Sequence, residues 1–177
     1  MNKKDFSKNC LAQALIELME DHAYDDISIQ DIVDKAGFSR MAYYRNFKNK
    51  GEMINYALDT MFDSFIKESD LSYQRMGPEK FFCTLFSFLA SEQTIKLSKL
   101  LMKQHLTGHL YVQFMKRVQG GFLPNQSRYF YDFMGGGFFS VYVSWIQDGL
   151  RETPEQMTAE MMKFVYLHSK MLDSNNS

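Results

Sequence analysis

The chain has 177 residues, a net charge of −1, 45% hydrophobic and 23% charged residues, a balance that supports a buried core and excludes a disordered tail protein. No global field draws it to nucleic acid or to an anionic membrane, so any such partner has to be met by a local patch. Three prolines and scattered glycines exclude collagen-like and Pro-rich linker classes, while 16 Phe, 10 Tyr and 13 Met supply soft apolar volume for a core, a pocket or an interface.

In chain order the sequence predicts helices nearly throughout. Phe6, Cys10, Leu11, Ala14, Leu15, Leu18 and Met19 recur at three- and four-residue spacing, one face of a first helix. A polar turn follows at His22–Asp26, then a short helix from Ser28. A longer helix opens at Asn49, with Met53, Ile54, Ala57, Leu58, Met61, Phe62, Phe65 and Ile66 as its apolar stripe. Gly77-Pro78 starts the next, with Pro at the first helical position. Two more follow, around Ile95–Leu101 and Leu106–Val118, the second closed by Gly120-Gly121. Pro124 restarts the chain, and a long helix is expected from about Gln126 to Asp148, ending at Gly149-Leu150 as a left-handed cap. Thr153-Pro154-Glu155-Gln156 is a capping box that launches the last helix, about 154–172. Val141-Tyr142-Val143 alternates like a strand but sits in a helical stripe.

Cys10 and Cys83 stand far apart and are expected as buried small hydrophobes. The N-terminus has lysines but no apolar core of a signal peptide. The longest uncharged run, Phe133–Gln147, has fifteen residues, short of the ~20 that a spanning helix needs. The expected compartment is the cytoplasm, with no membrane contact.

The informative stretch is Ser28 to Met53. Ser28 caps a helix and Asp31 completes the cap. Ile29, Ile32, Val33 and Ala36 give it a small apolar face. Gly37 stands where the helix stops and the backbone needs positive φ. Phe38 plugs the turn and Ser39 caps a second helix at once, which is the helix-turn-helix signature. Tyr43 and Phe47 are placed to anchor the second helix to the first. Charge points the same way: residues 1–34 hold three basic side chains and eight acids, and residues 35–50 hold five basic ones and no acid. Ser39, Arg40, Met41 and Ala42 form the turn that enters a major groove in such motifs. Arg40 suits guanine, and Met41 or Ala42 a thymine methyl. Tyr44, Lys48 and Lys50 suit phosphates. Asn49 caps the following helix with Glu52 three residues on, so that the helix amides and Lys50 form an expected phosphate clamp.

Residues Leu11 to Leu58 resemble the N-terminal domain of the TetR family of bacterial transcriptional regulators. The matching residues are Ala36-Gly37, Ser39, Tyr44, Asn46-Phe47, Lys50 and Glu52-Met53. Asn46 stands where histidine is usual, and Phe38 where a small valine is usual. The resemblance implies an all-α fold: an N-terminal three-helix domain, 1–50, joined by a connecting helix, 51–68, to a helical effector-binding and dimerisation domain, 51–177, with about nine helices in all. It implies a homodimer on a palindromic double-stranded DNA operator. The expected DNA-binding residues are Ser28, Ser39, Arg40, Met41, Ala42, Tyr44, Asn46, Lys48 and Lys50.

In the C-terminal part, Gly135-Gly136-Gly137 costs roughly 1 kcal/mol per glycine in a helix, so close helix–helix approach is expected there, with a kink as the alternative. No lysine follows and no strand precedes, against a phosphate loop. Gly136, Gly137, Phe138, Val141, Trp145, Met161, Phe164 and His168 are the expected dimer surface. Phe62, Phe86, Leu101, Met102, His105, Tyr111, Phe114, Tyr131 and Met134 are candidates for an effector pocket. No Asp or Glu stands between Gln93 and Asp132, so an apolar or anionic small effector is expected rather than a cation; a protein partner is the alternative regulatory signal. His105 and His109 stand four apart, but no third ligand is placed, so neither metal nor cofactor is expected. No G-x-S-x-G, H-E-x-x-H or Gly-rich loop after a strand points to an enzyme. The reading in another class is a helical dimeric protein-interaction module with accessory or absent DNA binding.

Overall fold

The computed structural model of the chain describes residues 3–119 and 127–174, with side chains over 5–119 and 127–166. Among the described residues there is no strand. The helices are α1 (Lys3–Asp21), α2 (Ile29–Ala36), α3 (Arg40–Asn46), α4 (Lys50–Ser69), the single turn α5 (Tyr73–Met76), α6 (Pro78–Leu89), α7 (Glu92–Lys103), α8 (Thr107–Arg117), α9 (Arg128–Gln147) and α10 (Pro154–Ser174), with a 3-10 turn at Tyr24–Asp26. The expected breaks at Gly120-Gly121 and Pro124, the Gln126 start and the side chain of His168 lie outside the described residues. Ser127 is the N-cap of α9, its side chain accepting from the amide of Phe130. The Thr153 box forms as read: Thr153 N donates to Gln156 Oε1 at 2.8 Å and Gln156 N to Thr153 Oγ1 at 3.3 Å.

The chain divides into two compact units. The first comprises Met1–Ser64 and Leu97–Gln113. Here α1, α2 and α3 pack on one another, burying Leu11, Leu15 and Met19 from α1, Ile32 and Val33 from α2, and Tyr43 from α3. Burying a side chain of this size contributes roughly 1.5–3 kcal/mol, and these six fix the three helices. Phe47, also buried, meets Tyr56 edge to face at 5.8 Å. The Tyr56 hydroxyl donates to Asn9 at 2.9 Å, and Lys8 lies 5.1 Å above the Tyr56 ring. Gly51 of α4 lies close to α8: a Cβ there would stand 3.1 Å from His109 Cε1.

The second unit comprises Phe65–Lys96 and Phe114–Ser177. Its main packing is α6 against α10, with an aromatic core. Phe138 stacks on Phe114 at 5.3 Å and on Phe82 at 6.1 Å, and Phe86 meets Trp145 edge to face at 5.5 Å. Phe65 stacks on Phe88 at 3.9 Å. The cysteines are free and half-buried rather than fully buried. His105 and His109 do not share a helix face, because His105 sits in the turn before α8 at φ 58°.

The Tyr43 ring is fully buried, and its hydroxyl has no hydrogen-bond partner; desolvation, then the neighbouring Tyr44, holds its pKa above the ordinary tyrosine value. A buried hydroxyl without a partner costs about 1–3 kcal/mol. Tyr43→Phe is therefore expected to raise stability by about 1 kcal/mol, read as a higher denaturant midpoint with unchanged slope. A loss of stability would show that the hydroxyl is satisfied.

Candidate nucleic-acid interface

Local rules build the α2–turn–α3 unit. Ser28 Oγ accepts from the amide of Asp31 at 3.2 Å, while Asp31 Oδ2 accepts from the amide of Ser28 at 2.9 Å. Hydrogen bonding from the Ser28 side chain, then from its backbone amide, holds the Asp31 carboxyl below its ordinary range. Gly37 adopts φ 71° and ψ 33°, and the next amide, Phe38 N, reaches back to Val33 O at 2.9 Å. A Cβ at Gly37 would meet nothing within 4 Å, so glycine is required by conformation and not by space. Ser39 Oγ then accepts from Ala42 N at 3.2 Å and opens α3.

α3 has two faces. Ala42, Tyr43 and, just beyond its end, Phe47 are buried. Arg40, Arg45 and Lys48 are exposed, and with them Met41 and Tyr44, at 78% and 62%. A surface Met and Tyr between three cations is an unusual cover for a seven-residue helix, and it supplies apolar contact, stacking and positive charge together. Two expected contacts are corrected. Ala42 is 8% exposed, so its methyl packs inward and Met41 alone remains for a thymine methyl. Asn46 turns toward α1: its Nδ2 donates to Ala42 O at 2.8 Å and to Ser7 Oγ at 3.2 Å, and its Oδ1 is buried without a partner. Ser28 and Ser39 are exposed, but each oxygen serves a cap.

Lys50 is the third correction. Its ammonium donates to the carbonyls of Tyr24 and of Ile27, the latter at 2.8 Å, and lies 4.4 Å over the Tyr24 ring. Desolvation lowers its pKa; Asp25 and Asp26 oppose that shift. The side chain ties α4 to the α1–α2 connection instead of closing an outward clamp. Asn49 Oδ1 does accept from Glu52 N at 2.9 Å, as the cap reading required. Gln30 and Arg45 belong to this surface and were missed as site residues. Arg45 was legible in the charge count, whereas Gln30 carries no local signal.

The sequence pattern described as bacterial regulatory proteins, tetR family, matches residues 11–57, and the one described as transcriptional regulator C-terminal region matches residues 78–166. The chain belongs to the TetR family. Both patterns describe regulatory proteins. The HTH-type dhaKLM operon transcriptional activator DhaS of Lactococcus lactis subsp. lactis is 29% identical over 73 residues, 41% of this chain and 39% of that protein. The uncharacterized HTH-type regulator YwcC of Bacillus subtilis is 33% identical over 57 residues, 32% of this chain and 26% of that protein. The matched segments thus span well under half of these curated relatives. A solved structure of the dihydroxyacetone kinase operon activator DhaS shares the fold, with a TM-score of 0.59 at 18% identity, covering 93% of this chain and 97% of that one.

The residues expected for an effector pocket and a dimer surface are distributed over both units. The second unit holds an apolar cavity of about 240 Å³ between α6, α9 and α10, walled by Phe81, Phe82, Leu85, Phe138, Val141 and Met161 among others. Of the candidate pocket residues, Met134 lines it. Phe86 and Phe114 lie behind its wall, packed on Phe138. Tyr131 packs against the Phe114–Met115–Val118 cluster. Phe62 and Leu101 are buried, Met102 is half-buried, and His105 and Tyr111 are at the surface; with Phe62, these belong to the first unit. Five of the nine thus belong to the first unit and four to the second. Among the expected dimer residues, Trp145 is corrected: it is 3% exposed and its indole N–H donates to Glu152 O at 3.1 Å. Phe138, Val141 and Met161 face the cavity. Gly136 and Gly137 have open space, and Phe164 is 60% exposed. The sequence reading missed Tyr129, Phe133 and Tyr166, all large and exposed.

No helix among the described residues is long and apolar enough to cross a membrane.

Lys50→Ala is expected to cost about 1.5–3 kcal/mol of stability, the range for hydrogen bonds to a charged group. The salt dependence of DNA binding should not change. A salt slope lowered by about one would put the ammonium on a phosphate instead. His109 Nδ1 lies 2.8 Å from Asn55 Oδ1, and burial holds its pKa below the ordinary 6.5. The unfolded chain then binds this proton more readily, so the stabilisation is present above pH 6.5 and is lost as pH falls through the lowered value. The melting temperature should fall between about pH 7 and pH 5, and His109→Gln should flatten that fall.

Proposed function

We propose that the protein is a homodimeric, effector-responsive DNA-binding regulator. In this reading α3 lies in a major groove of a palindromic operator, in the cytoplasm. The observation that carries the reading is the outer face of α3, with Arg40, Met41, Tyr44 and Arg45 exposed together and exposed Lys48 just beyond its end, while Tyr43 and the C-cap Phe47 anchor the other side. Arg40 and Met41 meet base edges, and Tyr44, Arg45 and Lys48 meet phosphates. Residues 1–50 carry the DNA contacts, and residues 51–177 carry dimerisation and the signal. Selection of bound fragments from a random duplex library tests this: the enriched sequences should be two inverted half-sites about 34 Å apart. No enrichment, with salt-insensitive binding, would favour the protein-interaction module.

The dimer is proposed to form through α9 and α10. Phe133 and Phe164 are 78% and 60% exposed and border the same apolar cavity, and exposed apolar side chains grouped in one region mark interaction surfaces. The cavity beside them is walled almost wholly by apolar side chains, which suits a neutral apolar effector or the apolar part of an anionic one. Phe133→Asp with Phe164→Asp is expected to yield a folded monomer by sedimentation, with operator affinity reduced at least tenfold as the paired half-sites are lost. A dimer unaffected by both changes would place the interface elsewhere.

A further inference from the structure

We propose that Gln30 sets the base preference of this regulator by fixing Arg40 for a guanine. The proposal rests on the DNA-reading role above. Arg40 Nε donates to Gln30 Oε1 at 2.6 Å, and Gln30 Nε2 donates to Asp34 Oδ1 at 2.6 Å. Gln30 and Asp34 stand one turn apart on α2, and Arg40 is the first residue of α3. The relay therefore runs from the supporting helix to the reading helix.

The order of donors and acceptors in it is fixed. Turning the Gln30 amide over would set its NH2 against the guanidinium and its oxygen against the carboxylate. Asp34 thus selects the rotamer that presents an acceptor to Arg40. With Nε occupied, the guanidinium keeps the N–H groups of its two terminal nitrogens. Those form the planar fork that matches O6 and N7 of guanine in the major groove. A free arginine samples many rotamers and meets phosphates as readily as bases; a guanidinium held at Nε has lost that freedom before binding. Gln30 is then a positioning residue.

The test is selection from a random-sequence duplex library with the wild-type protein, Arg40→Ala, Gln30→Ala, and Gln30→Glu combined with Asp34→Asn. Melting curves establish that each variant is folded. The wild type should enrich a guanine in each half-site at a position that Arg40→Ala erases. Gln30→Ala should lower the preference at that same position about tenfold, with affinity for random duplex and its salt slope unchanged. The double variant restores an acceptor facing Arg40, held by an amide donor, and should recover the preference. An unchanged preference in Gln30→Ala, a loss at a different position, or a uniform weakening on all sequences would each overturn the proposal while leaving the DNA-binding reading intact. Failure of the wild type to enrich any sequence would overturn that reading as well.

Discussion

The connection between α1 and α2 is held by two side chains from far along the chain, and the placement of the reading helix depends on it. The end of a helix leaves carbonyls without helical partners. Gln104 Nε2 donates to the carbonyls of Met19 and His22 at 2.8 and 2.9 Å, and its Oε1 accepts from Tyr24 N at 3.0 Å. Lys50 takes two further carbonyls, those of Tyr24 and Ile27, and Ala23 O accepts from Asp26 N at 3.0 Å. Ser28 then opens α2. A backbone segment that makes neither helix nor sheet bonds is thus satisfied almost group by group. Because one clamp stands at the end of α7 and the other at the start of α4, any change in those helices is felt where α2 begins.

The same economy runs through α3. Seven residues are too few for a helix to be stable alone, so its inner face has to supply the stability. Tyr43 and Phe47 do so, with ring centroids 6.4 Å apart. Asn46 adds a tie to Ser7 near the start of α1. With the inner face committed, the outer face is released from any structural duty, and Met41 and Tyr44 stand in solvent.

This division explains which features were legible in the sequence. Ser28, Gly37, Ser39, Asn49 and Thr153 act over three to five residues, and each does in the structure what its local pattern required. The helices followed from the spacing of apolar residues. Lys50 and Asn46 went the other way because their partners lie 26 and 39 residues distant, and nothing in a local pattern shows a bond of that span. Ala42 was misassigned because a small residue in a first turn suits either face; the helix phase set by Tyr43 decided it. Of the pocket candidates Met134 alone lines the apolar cavity: aromatic spacing marks burial, but whether a buried ring fills space or borders it is settled by tertiary packing.

The glycine triplet of α9 shows how finely that packing discriminates. Each glycine costs about the same in helix propensity, roughly 1 kcal/mol, yet the three are offset differently. At Gly135 a Cβ would stand 2.5 Å from Met115 Sδ and 3.3 Å from Val118 Cγ1. The space beside Gly135 is therefore filled by the side chains of Met115 and Val118, not by another helix backbone. At Gly136 and Gly137 a Cβ would meet nothing within 4 Å, so no contact among the described residues accounts for them. Gly137 also borders the apolar cavity, beside exposed Phe133 and Phe164. A flat, small-residue patch flanked by large apolar side chains allows another helix backbone to approach closely while the rings fill the margins. In the proposed dimer the second copy would meet Gly136 and Gly137, as the Met115 side chain meets Gly135 within the chain.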